Sequence, residues 1–280
     1  MKTRRTRYKN FKEMHINKLS EDCLVYIFRN LPISDKFRIP LVCQKWRNLN
    51  KSYFNNVDKL RIMTDLTVST TSEEMKIFKG NIMDLASFIL ETCGIYVNTI
   101  EMHHFNEEID YLKLEDLILK NCGNIKALGL FDDFEFDNSF DKKTLFNDTM
   151  NSLLSKLPNI TSITLEGLNL LYCRLTNLVN IKELNIVGCA FDSLNFDNLK
   201  NLKKCHINVS EKLNSVISAL VSHKCENIED FTLFTDIFSS RFSSDKLPEL
   251  IFKQNKLSRV YLSTILTVDE RIMHSLTCNL

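Results

Sequence analysis

The chain has 280 residues, 36 of them basic and 35 acidic, for a formal net charge of +1. That near-balance supplies no global basic field with which to hold nucleic acid. No run approaches the ~18 apolar residues of a membrane span, and no uninterrupted apolar core follows the basic N-terminus, so a cytoplasmic or nuclear location is expected.

The first elements are charged. Lys2, Arg4, Arg5, Arg7, Lys9 and Lys12 stand without an acid among them, and residues 1–14 are read as a basic, disordered, solvated tail. The same composition suits a nuclear import signal or an electrostatic arm. A nucleic-acid role for it would require binding that falls steeply with salt and disappears with residues 1–12.

Leu19 to Leu49 reads LSEDCLVYIFRNLPISDKFRIPLVCQKWRNL. Leu24, Ile27, Phe28 and Leu31 recur at helical spacing, Leu31-Pro32 makes a break, and Val42, Cys43 and Trp46 form a second apolar stripe. A segment of about 30 residues cannot bury that much apolar surface within itself. The segment resembles the F-box, the helical module through which a substrate receptor docks on the Skp1 adaptor of a cullin-RING ubiquitin ligase.

The resemblance is carried by Leu19-Ser20 in place of Leu-Pro, the acidic pair Glu21-Asp22, Ile27-Phe28, Leu31-Pro32, Asp35 and the Val42-Cys43-x-x-Trp46 motif, which contains the one tryptophan of the chain. Ser20 departs from the family's first proline but is a good N-cap, and Glu21 and Asp22 complement the positive end of the helix dipole. Pro40 is the second departure, and it is expected to begin the third helix. The resemblance implies an F-box over 15–54 and Skp1 contacts from Leu19, Ser20, Leu24, Ile27, Phe28, Leu31, Pro32, Val42, Cys43 and Trp46.

Beyond residue 55 the chain is organised by repetition. A seven-residue phrase with apolar second, fifth and seventh places recurs from Asn56, Tyr96, Asn124, Asn159, Asn180, Asn201, Asn227 and Lys256, and Asn opens six of the eight. Every one of those apolar places holds an apolar residue or cysteine, although only 44% of the chain is apolar. Spacings between phrases are mostly in or near the range of leucine-rich repeats. Residues 55–280 therefore resemble an irregular leucine-rich-repeat solenoid, and an F-box followed by such repeats is a known family architecture.

The implied fold class is α/β: a small all-α module, then short strands in a parallel sheet on the concave face, with apolar side chains pointing into the solenoid. Outer helices are expected at Ile82–Thr92, Leu112–Asn121, Leu145–Lys156, Leu213–His223 and Leu247–Asn255. The two steps of 21 residues are too short for a helix and should return through extended or 3₁₀ structure. Phe131 to Asp141, FDDFEFDNSFD, is expected to be an inserted acidic loop, and Thr267 to Leu280 a cap or an incomplete repeat.

On the strand register, the residues alternating with the buried ones face solvent. Arg61, His103, Phe131, Lys204, His206, Phe234, Arg259 and Tyr261 are the candidates for substrate contact there. Aromatic side chains beside Arg or His are what interface centres are enriched in. Alternatively, these rings fold back under neighbouring segments.

The nine cysteines include no Cys-x-x-Cys pair, which argues against a zinc scaffold or a disulfide framework. Most fall at apolar places, where a reduced thiol acts as a small hydrophobe. Cys225, after His223-Lys224, suits either a low-pKa thiol or a structural role, the second because Cys122 occupies the equivalent place in its own repeat. Six glycines form no phosphate-binding loop, and His103-His104 is followed by no third ligand at a metal-site spacing, so no enzyme, cofactor or metal is expected.

The function implied by the resemblance is that of the substrate-recognition subunit of an SCF-type ubiquitin ligase. Such a subunit binds Skp1 through the F-box and a protein substrate, unnamed by the sequence, through the repeats. The alternative is a repeat scaffold that directs no ubiquitin transfer.

Overall fold

The computed structural model describes residues 15–62, 66–70, 74–77, 82–103, 110–131, 148–149, 151–168, 174–175, 178–189, 195–196, 199–208, 217–218, 220–221, 225–234, 246–254 and 256–263. The basic tail, the segment 132–141 and the segment 267–280 lie outside them.

Helix α1 spans Glu21–Arg29 and begins as its sequence dictates. The Ser20 hydroxyl accepts the Cys23 N–H at 3.3 Å, Glu21 and Asp22 occupy the first turn and Arg29 the last, each complementing the local end of the helix dipole. Pro32 separates α1 from α2, Ile33–Lys36.

Pro40 does not begin the third helix. It sits in a 3₁₀ turn, Ile39–Leu41, and α3, Gln44–Asn48, starts only after Cys43, whose extended backbone (φ −163°, ψ 166°) interrupts the chain of helical residues. The Pro40 carbonyl is accounted for by Arg47 Nε, which donates to it at 3.1 Å. Helix α4, Asn50–Tyr53, then leads into the sheet.

The repeating phrase forms the strands. These are β1 (Val57–Ile62), β4 (Thr99–His103), β5 (Ala127–Phe131), β6 (Ser162–Glu166), β8 (Glu183–Val187), β10 (Lys204–Asn208), β11 (Asp230–Phe234) and β12 (Arg259–Ser263). They pair in parallel in that order with no slip between neighbours, so Arg61, Glu101, Gly129, Thr164, Asn185, His206, Thr232 and Tyr261 form one transverse row.

The apolar places of the phrase form three columns on the inner side. In the first seven units their exposure does not exceed 2%, as with Val97, Ile100 and Met102 of the second unit; Leu257, Val260 and Leu262 of the last are only partly covered. Period-two alternation along each strand is what puts the fifth and seventh places on the same face.

The asparagine that opens the phrase has a job of its own. Asn124 Nδ2 donates to the Ile95 carbonyl, Asn159 to Gly123, Asn180 to Pro158, Asn201 to Val179 and Asn227 to Lys200, at 2.7 to 3.4 Å. In each case the acceptor is the residue just before the opening of the preceding unit, so the amides tie successive turns into a ladder. The last unit opens on Lys256, and the buried Gln254 takes over: its Nε2 donates to Cys225 O and its Oε1 accepts from Ile228 N.

The connections follow the spacing. Helices α5, Ile82–Cys93, and α6, Tyr111–Asn121, back β4 and β5; residues 151–156 are helical before β6, and a helix at Lys246–Phe252 precedes β12. Only 217–218 and 220–221 of the expected 213–223 helix are described, and they are helical. The two short steps return through β7 (Arg174–Leu175) and β9 (Asn195–Phe196), which pair in parallel, with a 3₁₀ turn at Leu178–Asn180.

One element was not expected. Strands β2, Leu66–Thr70, and β3, Glu74–Ile77, add antiparallel to the outer side of β1, so that among the described residues the sheet has order β12-β11-β10-β8-β6-β5-β4-β1-β2-β3. They fill the longest spacing between phrases.

The N-terminal helices are continuous with the repeats. Leu24, Phe28, Ile33, Ile39, Leu49, Tyr53 and Phe54 belong to the same buried cluster as Val57, Leu60 and Ile89. Phe37 bridges the two parts, its ring centroid 4.8 Å from Phe54 and 6.0 Å from Phe88 on α5.

Candidate functional site

The open face of the sheet carries the eight residues singled out for substrate contact. At its N-terminal end Glu101 binds two cations, Lys59 Nζ and Arg61 Nε, each at 2.7 Å. Burial alone would raise the Glu101 carboxyl, but these two hydrogen-bonded charges outweigh it and hold the group below its ordinary value.

Beside this cluster, His103 and Phe131 stack with centroids 4.6 Å apart and planes 10° from parallel. Phe131 lies back along its own strand, because a Cβ placed on Gly129 would meet the Phe131 ring at 2.7 Å. This aromatic residue therefore folds onto the sheet. A glycine two residues before an aromatic residue, on the same strand face, is the sequence signal for that packing.

The C-terminal end is built differently. His206, Phe234 and Tyr261 follow one another across three strands, with centroids 5.4 and 5.2 Å apart and planes tilted by 51° and 47°. Tyr261 is 56% exposed. Burial lowers the pKa of His206, with Asp230 opposing the shift. Along one side Lys204 pairs with Glu183 at 2.5 Å and Arg259 with Asp230 at 2.7 Å, a row of alternating charges that compensates itself.

The second surface is on the N-terminal helices. Helix α1 turns Leu24 and Phe28 into the core, whereas Cys23, Tyr26 and Ile27 face outward. The 3₁₀ turn around Pro40 leaves Leu41 72% and Val42 60% exposed. Helix α3 locks both ends of this surface: Lys45 Nζ donates to Asn17 O and Leu19 O, and Trp46 Nε1 to Asn17 Oδ1 at 2.7 Å. Arg47 holds the turn through Pro40. Large apolar side chains held outward on a braced backbone are the mark of a docking surface.

Residues 16–54 match the family model of the F-box domain. The N-terminal module is an F-box domain. F-box domains bind Skp1 in cullin-RING ligases, and proteins that carry them are typically non-catalytic adaptors. No curated protein matches the chain. Among solved structures, a tropomodulin C-terminal domain from Caenorhabditis elegans is similar over 70% of this chain and 92% of its own, at 11% identity and a TM-score of 0.26.

Within the F-box, the residues matched to the motif divide into three groups. Leu19, Ser20, Ile27, Pro32 and Val42 are exposed, and Leu31, Cys43 and Trp46 are half-buried. Leu24, at 0% exposure, and Phe28, at 2%, are core residues that hold the module together, and Phe28 is the ring on which Trp46 packs, at 4.9 Å. Leu41 and Tyr26, which the motif did not single out, are the most exposed of the large apolar side chains here. The direct neighbour of Leu41, Pro40, was the available signal, since it forces the turn that displays Leu41.

Elsewhere the chemistry is structural. Cys93, Cys122, Cys189 and Cys225 are buried, and burial pushes each thiol up to about 12. Cys225 Sγ donates to Leu199 O at 3.6 Å, consistent with a role in packing. Among the described residues no cluster of His, Cys, Asp and Glu is arranged to hold a metal, and no helix is long and apolar enough to cross a membrane.

Proposed function

We propose that this chain is the substrate-recognition subunit of an SCF-type E3 ubiquitin ligase. The F-box holds Skp1, and through it a cullin, by the outward apolar side chains of α1 and of the turn at Leu41 and Val42. The repeats, which we read as a leucine-rich-repeat solenoid, hold a protein substrate on the open sheet face. The chain contributes proximity: tethering the substrate beside the ligase raises its effective concentration, and transfer chemistry belongs to other subunits. The site of action is the cytoplasm or nucleus.

The observation that carries this reading is the F-box match over 16–54, joined to the fact that its Leu41 and Val42 stay exposed while Leu24 and Phe28 are spent on the core. The test is affinity purification of the full-length chain beside a Leu41→Asp/Val42→Asp variant, with mass spectrometry of the co-purifying proteins and a melting curve for each. Skp1 and a cullin should accompany the wild type and leave the variant, with both folded. Skp1 absent from the wild type would reduce the protein to an interaction scaffold, whereas Skp1 retained by the folded variant would take the docking contact away from Leu41 and Val42.

A further inference from the structure

The two ends of the open face set their aromatic side chains among different neighbours. On β5 the residue two before Phe131 is Gly129, and the ring occupies the space that a Cβ would take. On β11 the corresponding place, in the same transverse row, is Thr232. Thr232, unlike Gly129, carries a side chain at that place. Phe234 leans instead on His206 and Tyr261, and more than half of Tyr261 stays in solvent.

The charges around these rings are already matched. Lys204 is held by Glu183 and Arg259 by Asp230, and burial keeps His206 toward its neutral form. A phosphate or carboxylate arriving here would have to compete with a carboxylate for each cation, whereas an uncharged side chain would meet three rings and disturb no ion pair.

We propose that the C-terminal end of the open face is a docking site for an unmodified segment of a partner protein that seats one large uncharged side chain, aromatic or aliphatic, against Phe234 and Tyr261. The self-compensated charges, the contiguous rings of His206, Phe234 and Tyr261 and the exposure of Tyr261 carry this choice of occupant. The proposal rests on the reading of the sheet face as the substrate surface and gives that substrate its chemistry.

The test pans a phage-displayed library of random peptides against the immobilised complex of the full-length chain with Skp1, for the wild type and for Tyr261→Ala, Tyr261→Phe, Phe234→Ala, Lys204→Ala and Arg259→Ala. Clones enriched on the wild type should share a Trp, Phe or Leu without an excess of acids. Tyr261→Ala or Phe234→Ala should lower their capture about tenfold, as for the loss of an interface anchor. Tyr261→Phe should retain it, and the two cation variants should change it by no more than about twofold.

Acidic clones that are lost with Lys204 or Arg259 would overturn the proposal in favour of an anionic segment. So would a library yielding no clone that depends on Tyr261. Skp1 retention is read on the same beads: its loss from the wild type defeats the ligase reading, and its presence beside a failed peptide capture defeats only the docking site.

Discussion

The ammonium of Lys36, a residue 1% exposed, donates to Asn56 Oδ1 at 3.1 Å, joining α2 of the F-box to the asparagine that opens the first repeat. A buried charge needs its acceptors, because desolvation is repaid only by good hydrogen bonds. Asn56→Ala should cost about 1 to 3 kcal/mol by withdrawing one of them. Chemical denaturation should show F-box and repeats unfolding in one transition at a lower midpoint. Two separated transitions would contradict the shared core.

The amide ladder makes a second prediction. Asn180→Ala and Asn201→Ala each delete a side-chain donor to the preceding turn, at 2.9 and 2.7 Å, and each should cost about 1 kcal/mol. Asn180→Asp, which keeps the size and removes the donor, should cost at least as much. Urea midpoints for the three variants check this, and a midpoint unchanged in all of them would make the recurrence of asparagine unrelated to stability.

Gly129 and Phe131 should be coupled. Gly129→Ala places a methyl group 2.7 Å from the ring and should destabilise the chain by about 1 to 3 kcal/mol, as overpacking does. In a Phe131→Ala background the same change should cost less. A double-mutant cycle measures the difference, and strict additivity would mean the ring does not lie there.

Glu101 predicts an acid-sensitive end of the sheet. Its carboxyl titrates below its ordinary value, so the stability it contributes is complete above the unfolded carboxylate pKa and is lost as pH falls through the depressed folded value. Glu101→Gln should flatten that acid limb of the stability profile. At neutral pH the variant should be less stable, because Lys59 and Arg61 would face each other without their shared carboxylate. A pH series of thermal melts tests both parts.

Much of this architecture was legible in the phrase itself. Second, fifth and seventh places are buried in register, and the opening asparagine, noticed only as a recurrence, proved to be a hydrogen-bonding residue with a fixed acceptor. The Ser20 cap was readable because its mechanism is local. The hairpin β2–β3 was missed because its residues follow no repeat and its pairing with β1 is antiparallel.

Surface assignments were less legible. Periodicity groups Leu24, Ile27 and Phe28 on one stripe, but the chain's own core claims Leu24 and Phe28 and leaves Ile27 outside, a division set by what packs against α1. Likewise the Phe131 ring lies in the space that Gly129, two residues before it, leaves open, which a list of exposed aromatic positions does not reveal.

The shared core of F-box and repeats has a geometric consequence. No linker separates Tyr53 and Phe54, both at 0% exposure, from the first strand residue Val57, so the sheet leaves the F-box at a fixed angle. Neighbouring strands lie about 4.8 Å apart, and the seven spacings from β1 to β12 therefore span about 34 Å along the sheet. A partner seated at Tyr261 is that much farther along the sheet from the F-box end than one seated at Arg61. Inserting or deleting one repeat unit would move it by a single strand spacing, which makes the repeat number a setting for reach.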